Sequence, residues 1–92
     1  MKELNIEKRL KKKVKEHGGL AFKLLSPGCA GVPDRLVLFK NSKIAFVEVK
    51  APTKRLRALQ QKRKEQLELL GFPVYTVDNY EAIDALIKEL VL

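Results

Sequence analysis

Gly31-Val32-Pro33-Asp34-Arg35-Leu36-Val37-Leu38-Phe39, continued after a short polar connection by Ile44-Ala45-Phe46-Val47-Glu48-Val49-Lys50, is the stretch that decides how this chain is read. Each half is an apolar run rich in β-branched and aromatic residues, the composition of a buried strand. Asp34 opens the first run, and Glu48-Val49-Lys50 closes the second. A hairpin of the two runs brings an acid and an acid-x-lysine to one end of adjacent strands. In an extended strand residues i and i+2 share a face, so Glu48 and Lys50 point the same way. Mg²⁺ or Mn²⁺ takes one or two carboxylates, keeps several waters and leaves room for a phosphate oxygen. Asp34 and Glu48 are the candidate carboxylate ligands and the Val49 carbonyl a third. Lys50 is the candidate group to orient or deprotonate the attacking water and to offset charge in the transition state.

The hairpin register tests that reading. If Phe39 pairs with Ile44 across a four-residue loop, Asp34 falls opposite Val49, and the two carboxylates face opposite sides of the sheet. A shared metal therefore requires either an odd-length connection around Asn41-Ser42-Lys43, with an αL residue in it, or a bulge near Asp34. Asn41 suits the αL position.

Length and charge bound the rest. Ninety-two residues make one domain, near the lower end of what buries a self-sufficient core, so a partner chain is a natural supplement. Lys and Arg number 19 against 11 Asp and Glu, a net charge of +8 whose natural partner is a polyanion. Seven of the basic residues, Lys50, Lys54, Arg55, Arg57, Lys62, Arg63 and Lys64, fall in one stretch without an acid. That clustering favours phosphate contact over a merely solvated surface. The single Cys29 excludes an internal disulfide, and with only His17 beside it there is no Cys/His set for structural zinc. No apolar run approaches a membrane span and no signal-peptide core is present, so a reducing cytoplasm is the expected location.

Along the chain the pattern predicts a helix from Asn5, as N-cap, to Gly18-Gly19, with Ile6, Leu10 and Val14 on one face. Strands are expected over 20–25, 34–39, 44–49 and 73–77. A second helix is expected over 57–70 without a good N-cap, and a last helix behind a capping box of Asp78 and Glu81. The order is α-β-β-β-α-β-α, an α/β domain with a mixed central sheet. His17 at a helix end reads as a capping residue, and Cys29 as a small filler in a glycine-rich loop.

Glu7, Gly31-Val32-Pro33-Asp34, Glu48-Val49-Lys50 and Gln60 together resemble the motif series of the VRR-NUC family within the PD-(D/E)xK nuclease superfamily. The strings Gly19-Leu20-Ala21-Phe22-Lys23, Ser26-Pro27-Gly28 and Leu69-Leu70-Gly71-Phe72-Pro73-Val74 are similar to its short stand-alone members from phages and bacteria. The resemblance spans nearly the whole chain and implies a restriction-endonuclease-like fold and a metal-dependent endonuclease acting on DNA. It implies Asp34, Glu48 and Glu7 as metal ligands, Glu7 directly or through water, with Lys50 and Gln60 catalytic. Periodicity leaves Glu7 open between a site acid and a surface acid, and Gln61 is the rival of Gln60 if the helix register slips. Lys23 and Ser26 join Lys54, Arg55, Arg57, Lys62 and Arg63 as candidate nucleic-acid contacts. Stand-alone relatives are described as homodimers resembling Holliday-junction resolvases, which points to branched DNA such as four-way junctions. The alternatives are a non-catalytic DNA-binding subunit for a helicase partner, and a nuclease of flaps or RNA ends.

Overall fold

A computed structural model describes residues 2–91. The elements run α1 (Glu3–Glu16), β1 (Leu20–Lys23), β2 (Arg35–Phe39), β3 (Lys43–Val49), α2 (Ala58–Leu69), β4 (Val74–Val77) and α3 (Tyr80–Val91), which is the expected order. The sheet order is β1-β2-β3-β4; the first three strands are antiparallel, and β4 runs parallel to β3. That parallel step is why α2 lies between β3 and β4, since parallel neighbours need a crossover connection.

The two faces of the sheet differ. Val37, Ala45, Val47, Val49 and Val77 alternate onto one face and pack with Ile6, Leu10 and Val14 of α1 and Ile83, Leu86, Ile87 and Leu90 of α3, making the core. The i, i+4, i+8 spacing in α1 puts its three apolar residues on a single stripe, and all three are fully buried. No residue of α2 is buried. It lies against the opposite face, where Leu36, Leu38, Ile44 and Phe46 are only half-buried and Leu20 and Phe22 are exposed.

Several boundaries differ from expectation for physical reasons. α1 starts at Glu3 with Lys2 at the cap and no side-chain cap, so Asn5 lies inside the helix; packing of Ile6 rather than capping sets its start. β1 stops at Lys23 because the next pairing partner, Asp34, begins the loop side of the hairpin, although Leu24 N–H still donates to the Asp34 carbonyl. α3 is capped by Asn79, whose Oδ1 accepts from Ala82 N–H at 2.7 Å, not by Asp78. Asp78 instead accepts from the Asn79 amide. α2 does have a cap, supplied from within: Gln60 Oε1 accepts the Arg57 backbone N–H at 2.9 Å. His17 caps α1 as expected, its Nδ1 lying 2.9 Å from the Lys13 carbonyl oxygen.

Candidate active site

The hairpin connection takes the odd-length form. Phe39 pairs with Lys43, leaving Lys40, Asn41 and Ser42 as the loop, and Asn41 and Ser42 have φ of 64° and 60°. The register Arg35 to Val47 then carries back one step to set Asp34 opposite Glu48. Both carboxylates consequently lie on the face away from α1 and α3. The anchor is explicit: Asp34 Oδ2 accepts the backbone N–H of Val49 at 3.0 Å.

Gly31 makes this placement possible. Its φ is +83°, and a Cβ there would lie 2.6 Å from the Leu59 carbonyl oxygen, so only glycine lets the loop close on α2. Arg63 secures the same contact from the helix side, with Nε and Nη2 donating to the Ala30 carbonyl at 3.2 and 3.1 Å. Loop and helix therefore hold Asp34 and Gln60 on one frame.

Glu48 is the centre of the site. It is 5 % exposed, deep for a carboxylate. Gln60 Nε2 donates to its Oε2 at 3.0 Å, and Lys50 Nζ lies 3.8 Å from the same oxygen. Gln60 thus spans from the α2 cap to the acid, whereas Gln61 donates to Glu65 on the exposed side of the helix. Burial first, and then the facing charge of Asp34, push the Glu48 carboxyl up to about 7, against the opposing pull of Lys50. Two acids so placed repel when both are ionised. A divalent cation between them removes that conflict, so the donor set fits a hard cation.

The remaining site candidates are placed as follows. Glu7 is joined to the buried guanidinium of Arg35. Among the described residues no group of three acid, His or Cys side chains gathers to hold a metal, so Glu7 does not complete a triad with Asp34 and Glu48. The reason is charge: Arg35 points into the α1 face of the sheet, and Glu7 on α1 is the acid that neutralises it. Val49 contributes its N–H to Asp34. Lys54, Arg55, Arg57 and Lys62 are exposed in the segment that follows β3 and on α2, and Ser26 is exposed in the loop, where its carbonyl accepts from Cys29 N–H. Lys23 pairs with Arg35 and so alternates onto the α1 side of the sheet, away from the carboxylates. Arg63 is engaged with Ala30 and Gln66, a structural use in place of the phosphate contact expected of it.

Two residues stand out that sequence reading did not select. Arg35, next to Asp34, is 6 % exposed and ties α1 to β2. Thr76 pairs with Glu48 across the β3–β4 ladder, and its hydroxyl is buried without a hydrogen-bond partner. Arg35 had a legible signal in the charge it adds to an apolar run; Thr76 had none.

A mixed sheet presenting an acid, an acid-x-lysine and a helix-borne glutamine on one face defines a nuclease-type domain. Residues 2–79 match the family model of the VRR-NUC domain. A curated relative, "Putative nuclease p44" of Acyrthosiphon pisum secondary endosymbiont phage 1, is 43 % identical over 81 residues, covering 88 % of this chain and 87 % of its own. A solved structure described as a VRR_NUC domain superposes with a TM-score of 0.88 at 32 % identity, covering 94 % of each chain. The chain belongs to the VRR-NUC family of nuclease domains.

Proposed function

We propose that this protein is a metal-dependent DNA endonuclease that hydrolyses phosphodiester bonds and acts on branched DNA such as four-way junctions. The observation that carries the reading is the pair of facing carboxylates, Asp34 and Glu48, with Lys50 and Gln60 on the same carboxylate oxygen of Glu48. Asp34, Glu48 and the Val49 carbonyl would hold Mg²⁺ or Mn²⁺, which when bound supplies Lewis-acid polarisation of the phosphate and lowers the pKa of a bound water.

The chain's own residues do the rest. Val49 N–H fixes the Asp34 carboxylate, so that one of its oxygens has a set direction. Gln60 holds Glu48 from one side and is itself held by the Arg57 N–H, which limits rotation of the acid. Lys50 projects an ammonium beside Glu48, where it orients the attacking water and balances charge on the phosphorane-like transition state. Arg35, tethered through Glu7 to α1, fixes the start of β2 and with it Asp34. Lys54, Arg55, Arg57 and Lys62, exposed between β3 and the first half of α2, supply salt-sensitive affinity for the backbone with little base preference.

A homodimer accords with this activity, since two sites related by a two-fold axis address two strands of a junction. Its support is the sheet face that α2 leaves open: Leu20 is 56 % and Phe22 51 % exposed, next to half-buried Leu36 and Leu38. The functional test is cleavage of labelled linear, flap and four-way DNA with Mg²⁺, Mn²⁺ or chelator. Preference for four-way DNA supports the reading, and equal cutting of linear duplex overturns the branched-substrate part.

A further inference from the structure

On α1, Asn5, Lys8, Arg9 and Lys12 recur at i, i+3, i+4 and i+7, so they share one face of the helix. With Tyr80, the first residue of α3, they line an open pocket of about 240 Å³ that no acid borders. The Arg9 guanidinium stands over the Tyr80 ring, 5.1 Å from its centroid, and its buried Nε has no hydrogen-bond partner. None of the ion pairs among the described residues uses Lys8, Arg9 or Lys12. Of the acids of α1, Glu7 is joined to Arg35 and Glu16 to Lys13, while Glu3, in the first turn, makes no ion pair among the described residues and does not line the pocket. Four donors, one held on an aromatic ring, line a pocket with no acidic side chain among its lining residues. That is the form of an anion site.

Its place in the fold relates it to the active site. Val77 pairs with Val49 at the end of β4, and Tyr80 follows three residues later, so the pocket lies at the sheet end that carries Glu48 and Lys50. Glu7, two residues before Arg9, is joined to Arg35, the residue after Asp34. The pocket is therefore around the sheet edge from the carboxylates, on the opposite face. Lys8 and Lys12 are about 6 Å apart along the helix axis, so both can follow one strand.

We propose that Asn5, Lys8, Arg9 and Lys12, with Tyr80 beneath the guanidinium, form a second nucleic-acid contact that grips the sugar-phosphate backbone outside the cleaved bond. The proposal rests on the nucleic-acid reading of the carboxylate site and extends it to the far face of the sheet. Arg9 and Asn5 bond phosphate oxygens in fixed directions, while the two lysines contribute point charges. The consequence is length dependence. A hairpin stem of roughly 8 base pairs spans about 27 Å and ends near the protein's own edge, whereas a duplex of roughly 24 spans about 80 Å and continues past it. The longest dimension of the protein is 32 Å.

The test measures binding of both lengths by fluorescence anisotropy across a salt series, in Ca²⁺ to prevent turnover. Lys8→Ala/Lys12→Ala changes only exposed side chains. Arg9→Ala, checked for folding by circular dichroism, forms the second arm. Lys40→Ala/Lys43→Ala, lowering net charge equally at the hairpin tip, is the control. The expected result is a salt slope for the long duplex lower by about 2 in the double variant, at roughly 0.9 per lost phosphate contact. The advantage of long over short DNA shrinks with it, and the control keeps both. An unchanged slope and length advantage in the Lys8/Lys12 and Arg9 variants, with wild-type binding intact, overturns the second contact alone. No salt-dependent binding by the wild-type protein overturns the nucleic-acid reading beneath it as well.

Discussion

Replacing Glu48 by Gln removes a charge that the fold holds unfavourably. Burial and the facing Asp34 raise the carboxyl from its ordinary 4.5 to about 7, a displacement worth about 3 kcal/mol between the two protonation states. The sign follows from proton counting. Between those two values the folded protein binds more protons at Glu48 than the unfolded chain does, so stability falls as pH rises through the window and stays low above it. In metal-free protein at pH 8, Glu48→Gln relieves that cost, in which the opposing pull of Lys50 is already counted, for a net gain of about 1 to 3 kcal/mol once the altered hydrogen bonding of the amide is allowed for. For a domain of this size that is a rise in Tm of roughly 5 to 15 °C. The assay is thermal unfolding in chelator from pH 4 to pH 9. The gap between variant and wild type should be widest at pH 8 and close as pH falls below 5, while the variant loses cleavage. A variant no more stable than wild type at pH 8, or a gap that does not change with pH, refutes the account of Glu48.

Lys50→Ala should lower single-turnover cleavage by at least roughly 100-fold while DNA binding in Ca²⁺ changes little, because the ammonium acts in the transition state and the flanking basic residues supply affinity. Gly31→Ala should cost about 2 kcal/mol or more in urea unfolding, since the φ of +83° and the Leu59 carbonyl both reject a Cβ. Phe22→Asp should convert a dimer to a monomer in light scattering at micromolar protein, and a wild-type protein already monomeric there defeats the two-fold arrangement.

Much of this architecture was legible because its signals are local. The apolar runs of β2 and β3, the i, i+4, i+8 stripe of α1 and the Gly18-Gly19 stop each depend on a few neighbouring residues, and each of these elements formed in its expected segment with its ends shifted. The hairpin was legible for a different reason: the requirement that Asp34 and Glu48 share a face left few registers, and a three-residue loop with Asn41 in αL is one of them. Where the partner comes from far along the chain, the sequence was silent. The Arg35 guanidinium claims Glu7 across 28 positions, and Arg63 claims the Ala30 carbonyl across 33, so neither side chain could be assigned from its own segment. The α2 cap was hidden because Gln60 serves it while also holding Glu48, a double use that no capping pattern contains.

The most direct test of the central claim is cleavage of a labelled four-way junction by wild-type protein and by Lys50→Ala purified in parallel, each in Mg²⁺, in Mn²⁺ and in chelator. Product should come only from the wild-type protein and only with a divalent cation. Cleavage that persists in chelator, or that Lys50→Ala matches, or no cleavage by wild type in either metal, contradicts it.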